Sequence, residues 1–268
     1  MKFGICTGVQ EDQGVFLIPH IDFLQKSGFS YVELPLYAIA TLSEEKFDGL
    51  REYLRTLTVP VLACNCFMDG KIHMTGKDYD SVRFQRYVKK AVSRAHKIGV
   101  EKLVLGSGGS RNIPAGFSKE TAKKQFESCV RFAAEECALY GIELEIEHLN
   151  RLESNLLTSF EESVDFVEKL ALPNCKVVLD YFHFALGNEN PRLILRRVAA
   201  IGHIHFARPL GRVFPEPEDL PDLRGILNIL RQSGYTGGTF SMECAFPDME
   251  KEPNFYGNIL AAFARQLP

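Results

Sequence analysis

The chain has 268 residues, 46% hydrophobic and 24% charged, enough apolar material for a large soluble core. Its net charge of −3 supplies no basic field for holding a phosphate backbone, so nucleic acid is disfavoured as a partner. No apolar run approaches the roughly 20 residues needed to span a bilayer, and the opening MKFGICTG reads as a strand, without the apolar stretch and cleavage site of a signal peptide.

Short β-rich runs alternate with longer amphipathic ones from end to end. Strands are predicted over residues 2–7, 31–35, 60–67, 102–106, 142–149, 176–180, 202–206 and 239–244. The clearest helical patterns cover 80–98 and 119–140, where apolar residues recur at three- and four-residue steps. Gly28, Gly99, Gly141 and Gly234 each follow such a run and precede a strand, as C-terminal caps should. No linker, low-complexity tract or charge run divides the chain. The pattern predicts a single-domain α/β protein, a (β/α)8 TIM barrel over residues 1–268, with an open doubly wound sheet as the alternative. The seven cysteines contain no C-x-x-C pair, and Cys6, Cys64, Cys66 and Cys244 lie in strand-like runs, which fits a reducing cytoplasm.

In a barrel one face of each strand meets the helices and the other meets the lumen. Ile142, Leu144 and Ile146 must face the helices, which turns Glu143, Glu145 and Glu147 inward. Glu147 lies nearest the C-terminal rim, where barrels of this kind carry their chemistry. On the eighth strand Thr239, Ser241 and Glu243 share the inward face. On the seventh, His203 and His205 share a face about 6.6 Å apart, and only His205 reaches the layer of Glu147. Asp180 ends the sixth strand after an apolar run. These four residues are 33, 25 and 38 positions apart, close to one βα repeat each, so four consecutive strands deliver them to one rim. Three carboxylates and one imidazole suit a single divalent ion such as Mn²⁺, Mg²⁺ or Co²⁺. The bland alternative is four unrelated polar strand ends, each satisfied locally.

At these residues the sequence resembles the xylose-isomerase-like barrel superfamily, and within it the D-tagatose/D-psicose (allulose) 3-epimerases. Glu147-His-Leu-Asn-Arg-Leu-Glu153 is similar to that group's E-x-L-N-R-x-E motif. Leu179-Asp-Tyr-Phe-His183 is similar to L-D-x-x-H, Gly202-His-Ile-His205 to G-H-x-H, and Met242-Glu243 to the terminal M-E. The resemblance implies a ketose 3-epimerase or related keto-sugar isomerase acting on a small polyol ketone. It implies metal ligation by Glu147, Asp180, His205 and Glu243, proton transfer by Glu147 and Glu243, and substrate contacts from Glu153 and His183. Mn²⁺ is the expected ion, with Mg²⁺, Co²⁺ or Zn²⁺ as alternatives, and a homo-oligomer (dimer or tetramer) is left open. Where the group has G-E-x-x-R after its second histidine, this chain runs Phe206-Ala-Arg-Pro-Leu-Gly-Arg212. Arg208 is the expected replacement for the missing guanidinium, with Arg212 as the other choice.

Several residues carry two readings. Gly106-Ser-Gly-Gly-Ser-Arg111 could cradle an anion, although a tight rim loop is the plainer account, and Arg111 is a candidate for a substrate carboxylate or phosphate. Glu33 ends the second strand and could line the pocket or support it from behind. His148 and His203 read as structural, and Glu143 and Glu145 as lower-lumen carboxylates paired with Lys or Arg. The rival functions are dehydration of a cyclic keto-polyol (inosose or dehydroshikimate type) and an endonuclease IV-type phosphodiesterase. The second lacks the D-x-H pair it needs after the seventh strand.

Overall fold

Each predicted strand run carries a β-branched or apolar core that forms a strand, and the eight close on one another. The computed structural model describes residues 1–245, 248 and 250–267. The barrel strands are β1 (Lys2–Cys6), β2 (Tyr31–Pro35), β3 (Val61–Asn65), β4 (Lys102–Leu105), β5 (Glu143–Glu147), β6 (Cys175–Asp180), β7 (Ile201–Phe206) and β8 (Thr239–Met242). They pair in parallel around a closed ring in chain order, with β8 returning to β1. The open-sheet alternative is thereby excluded.

Helix starts follow the local chemistry. The Ser43 side chain accepts from the Lys46 amide, Asp80 from Val82 and Arg83, Ser118 from Thr121, and Ser159 from Glu162. Gly28, Gly99, Gly141 and Gly234 all take left-handed backbone where a helix turns back into a strand. The helices bury their apolar stripes against the outside of the barrel, where Phe206 and Phe240 pack with Phe263. A hairpin that the sequence pattern did not single out, Gln10–Asp12 with Val15–Leu17, follows β1 and pins Phe16 into the core.

The lumen is unusually polar. Tyr31, Leu62 and Ala63 form a small apolar cluster of their own, while Glu33, Lys102, Glu145, His203, His205 and Ser241 are all buried. Lys102 forms ion pairs with both Glu143 and Glu145, the pairing expected for buried carboxylates. Gly202 on β7 makes room for this: a Cβ there would lie 2.2 Å from Glu145 Oε1.

Candidate metal centre

Strand parity carries Glu147, Asp180 and His205 to the C-terminal rim, and Glu243 follows directly after β8. Asp180 and His205 are register partners on β6 and β7, and Ser241 on β8 pairs with His205 in turn. Asp180 also caps the helix Tyr181–Leu186, accepting from the His183 amide through Oδ1 at 2.9 Å. Its orientation is thus fixed by backbone, and Oδ2 remains for the centre. His205 Nδ1 lies 3.0 Å from Glu147 Oε1 and 3.2 Å from Glu243 Oε2, while Nε2 lies 3.0 Å from Glu33 Oε1.

One ligand atom from each of Glu147, Asp180, His205 and Glu243 falls within 4.8 Å of the other three. Bonds from an ion to oxygen run from roughly 2.0 Å for Mg²⁺ to roughly 2.5 Å for Ca²⁺, so donors sharing one ion stand at most roughly 4–5 Å apart. The donor set therefore fits a single oxygen-preferring divalent ion.

The electrostatics are those of crowded buried charge. Burial, then Glu243 and Glu147, push the Asp180 carboxyl well up; burial and Glu243 also push Glu147 up. Glu243 goes the other way, because His205 and Arg212 outweigh its burial. For His205 burial opposes the charge, but Glu33 and Glu243 overcome it and raise the imidazole well above its ordinary range. A divalent cation among three carboxylates would relieve the same repulsion.

A cleft of about 620 Å³ opens over these groups, lined among others by Glu147, Glu243, Glu153, His183, Arg212, Tyr37 and Cys66. The E-x-L-N-R-x-E stretch builds one wall: Asn150 Nδ2 donates to Glu153 Oε1 at 2.8 Å and sits 2.9 Å from His183 Nδ1. The Asn150 backbone amide also donates to His183 Nδ1, which makes that nitrogen the acceptor and places the ring proton on Nε2. Among the described residues His183 Nε2 is buried without a hydrogen-bond partner, 3.9 Å from Asp180 Oδ2. Burial holds this imidazole neutral, down to about 3.

The structure places Arg208 and Arg111 differently from expectation. Arg208 is engaged with the Leu210 carbonyl and with Asp219, and is not among the cleft residues. Arg212 takes that place. Gly211 and Arg212 both adopt left-handed backbone, and the turn aims the guanidinium 2.7 Å from Glu243 Oε2 and 3.7 Å from Asp180 Oδ2, over the Phe182 ring. Arg111 is fully buried, donating to the Glu147 carbonyl at 2.7 Å and the Leu157 carbonyl at 3.3 Å. It clamps the end of β5 from a position closed to solvent. His148 is buried beside Phe160 and His183, and His203 lies one layer down, between Glu33 and Thr239.

Asn65 was not singled out from the sequence, yet its Nδ2 donates to Glu243 Oε1 at 3.1 Å. The signal was present: it is the polar residue closing the apolar strand Val61–Asn65. All seven cysteines are free. Cys66 faces the cleft from a left-handed residue, and burial, with Glu243, pushes its thiol up to about 12. Among the described residues no helix is long and apolar enough to cross a membrane.

The sequence profile of the xylose isomerase-like TIM barrel family matches residues 21–258. A D-psicose 3-epimerase of Enterocloster bolteae is 26% identical over 229 residues, covering 81% of this chain and 73% of that protein. A 2-oxo-tetronate isomerase of Haemophilus influenzae is 27% identical, covering 82% of this chain and 86% of that protein. In structure, D-psicose 3-epimerase from Clostridium cellulolyticum H10, solved with D-tagatose, superposes with a TM-score of 0.80 at 20% identity, over 100% of this chain and 99% of that one. These relatives are named as epimerases and isomerases, which supports an isomerase-class enzyme. A match across 21–258 carries the assignment of fold family: the chain belongs to the xylose isomerase-like TIM barrels.

Proposed function

We propose that the protein is a divalent-metal-dependent keto-sugar epimerase or isomerase whose principal reaction is inversion at C3 of a ketose. The observation that carries this reading is the convergence of Glu147, Asp180, His205 and Glu243, with ligand atoms within 4.8 Å, at the floor of a cleft large enough for a monosaccharide. Glu147, Asp180, His205 and Glu243 would hold the ion, expected to be Mn²⁺, and its Lewis acidity would make the proton beside a ketone acidic enough for a carboxylate to take. The chain's own residues do the rest. Glu147 and Glu243 reach the centre from β5 and from the end of β8, three strands apart, and are assigned to opposite faces of the bound sugar. One removes the C3 proton, and the other delivers a proton to the opposite face of the same carbon.

Glu153, His183 and Arg212 line the cleft beside the centre and are assigned to the substrate's hydroxyl and carbonyl oxygens. With Nδ1 tied to Asn150, His183 has its Nε2–H to donate. Arg212 balances the carboxylate cluster and offers further donors from its fork.

The test is incubation of Mn²⁺-loaded protein with ketoses, 2-keto sugar acids and cyclic keto-polyols in D₂O, followed by NMR. Deuterium at C3 with appearance of the epimer supports the reading. Loss of water from a cyclic keto-polyol, without inversion of any ketose, would replace it by the dehydratase.

A further inference from the structure

His205 is the one nitrogen ligand of the proposed centre, and an imidazole can ligate only through a nitrogen that carries no proton. What faces the other nitrogen therefore decides which way the ring works. Nδ1 looks up at Glu147 and Glu243, and Nε2 looks down at Glu33 Oε1, 3.0 Å away. Glu33 comes from β2, across the lumen from β7, and is fully buried.

Glu33 is itself held from several sides. Its Oε2 accepts from Ser241 Oγ at 2.6 Å and lies 3.0 Å from His203 Nε2. His203 leans on Thr239 Oγ1 at 2.8 Å, and Ser241 Oγ contacts the Tyr31 hydroxyl at 2.8 Å. An anion with two oxygens thus sits under the histidine, one oxygen committed to the ring and the other to its own supports.

We propose that Glu33 is a positioning residue for the metal centre: by accepting the Nε2–H of His205 it fixes the tautomer and ring angle that present the Nδ1 lone pair to the ion. The proposal rests on the metal reading above and adds to it a residue outside the ligand set. Carboxylates behind a ligating histidine have this effect in general, and their loss typically weakens metal binding by about 10- to 100-fold.

The experiment measures Mn²⁺ affinity by calorimetry and the Mn²⁺ EPR spectrum for wild type, Glu33→Ala, Glu33→Gln and Tyr31→Phe, with circular dichroism and Tm of each protein without added metal. Glu33→Gln keeps the side-chain volume and carries the test if Glu33→Ala does not fold. Tyr31→Phe removes a buried hydrogen bond from the same network without touching Glu33 or His205, and so reports the effect of a merely structural loss. The expected result is Mn²⁺ binding weakened about 10- to 100-fold in both Glu33 variants, a changed EPR spectrum, and wild-type affinity in Tyr31→Phe. Folded Glu33 variants with affinity within about twofold of wild type would overturn the proposal and leave the metal reading intact. A wild-type protein that binds no divalent ion would overturn both.

Discussion

Gly106 and Glu147 compete for one volume: a Cβ on Gly106 would stand 1.8 Å from Glu147 Oε2. Gly106 ends the run after β4, beside the strand that carries Glu147, and its missing side chain is the space the carboxylate occupies. Its role is close approach rather than backbone freedom, since its φ is not in the left-handed region. Gly106→Ala is therefore expected to fold with near wild-type Tm while losing most metal affinity and activity, because the carboxylate must swing out of the centre. Wild-type affinity in a folded Gly106→Ala protein would show that Glu147 does not need this position.

Metal content tests the ligand set itself. Purified protein is expected to hold close to one divalent ion per chain, and Asp180→Asn or His205→Ala to lose most of it. The affinity should rise with pH. Burial and neighbouring carboxylates raise Asp180 and Glu147, and Glu33 and Glu243 raise His205 against its burial. Each proton bound in the free protein must leave before the group ligates. Tighter Mn²⁺ binding at about pH 8 than at about pH 6, with net proton release, is the expected calorimetric result. Full metal content in both variants, or three zinc ions per chain, would overturn the assignment.

The cleft residues should behave differently from the ligands. Glu153→Gln, His183→Ala and Arg212→Ala are expected to keep their metal and to raise KM or lower kcat, while Arg208→Ala leaves both near wild type. Equal losses from Arg208→Ala and Arg212→Ala would reopen the choice of arginine. Metal loss in Glu153→Gln would move that residue into the ligand set.

The contrast between those arginines shows what was legible in the sequence. The strands and the four rim residues were readable because parity and position at a strand's end are local properties: Ile142, Leu144 and Ile146 fix where Glu147 points. Arg212 was harder to place because its direction depends on two successive left-handed residues, one a glycine and one the arginine itself. Glu33 could not be resolved because its partners come from β7 and β8, 170 and more positions later. Arg111 looked available beside a glycine-rich loop, whereas it is buried and donates to the backbone carbonyls of residues 147 and 157 and to Ser154 Oγ.

The lower lumen offers a stability test separate from catalysis. Glu145 is fully buried, and burial, partly countered by Lys102, raises its carboxyl to about 7 from an ordinary 4.5. A carboxyl raised on folding binds more protons in the folded state. Its contribution is present below the unfolded value and is lost as pH rises through about 7. The size is on the order of 3 kcal/mol, and Glu145→Gln should flatten that part of the stability–pH curve. Lys102→Met strands the buried charge and is expected to cost about 3–5 kcal/mol in urea unfolding at neutral pH, with much of the loss recovered in Lys102→Met/Glu145→Gln. Identical stability–pH curves for wild type and Glu145→Gln would refute the buried-charge account.

Inversion itself places the strictest demand on the site, because it needs a proton donor or acceptor on each face of the sugar. Glu147 and Glu243 enter from strands three steps apart and differ in their surroundings. Glu147 is buried against Glu243 and raised, while Glu243 is held low by His205 and Arg212 against its burial. Each is expected to remove the C3 proton from one epimer and to return it in the reverse direction. Glu147→Gln and Glu243→Gln should then each abolish net inversion. A variant that keeps its metal should still exchange the C3 proton with solvent for the one epimer whose base survives, so the two variants should show opposite epimer preferences in D₂O. Both glutamates also belong to the proposed ligand set, and Mn²⁺ occupancy must therefore be measured beside the rates. A metal-replete variant of either glutamate that inverts substrate at a near wild-type rate would eliminate the two-carboxylate mechanism. Exchange lost for both epimers in only one of the two variants would instead point to a single essential base, the pattern of a dehydratase.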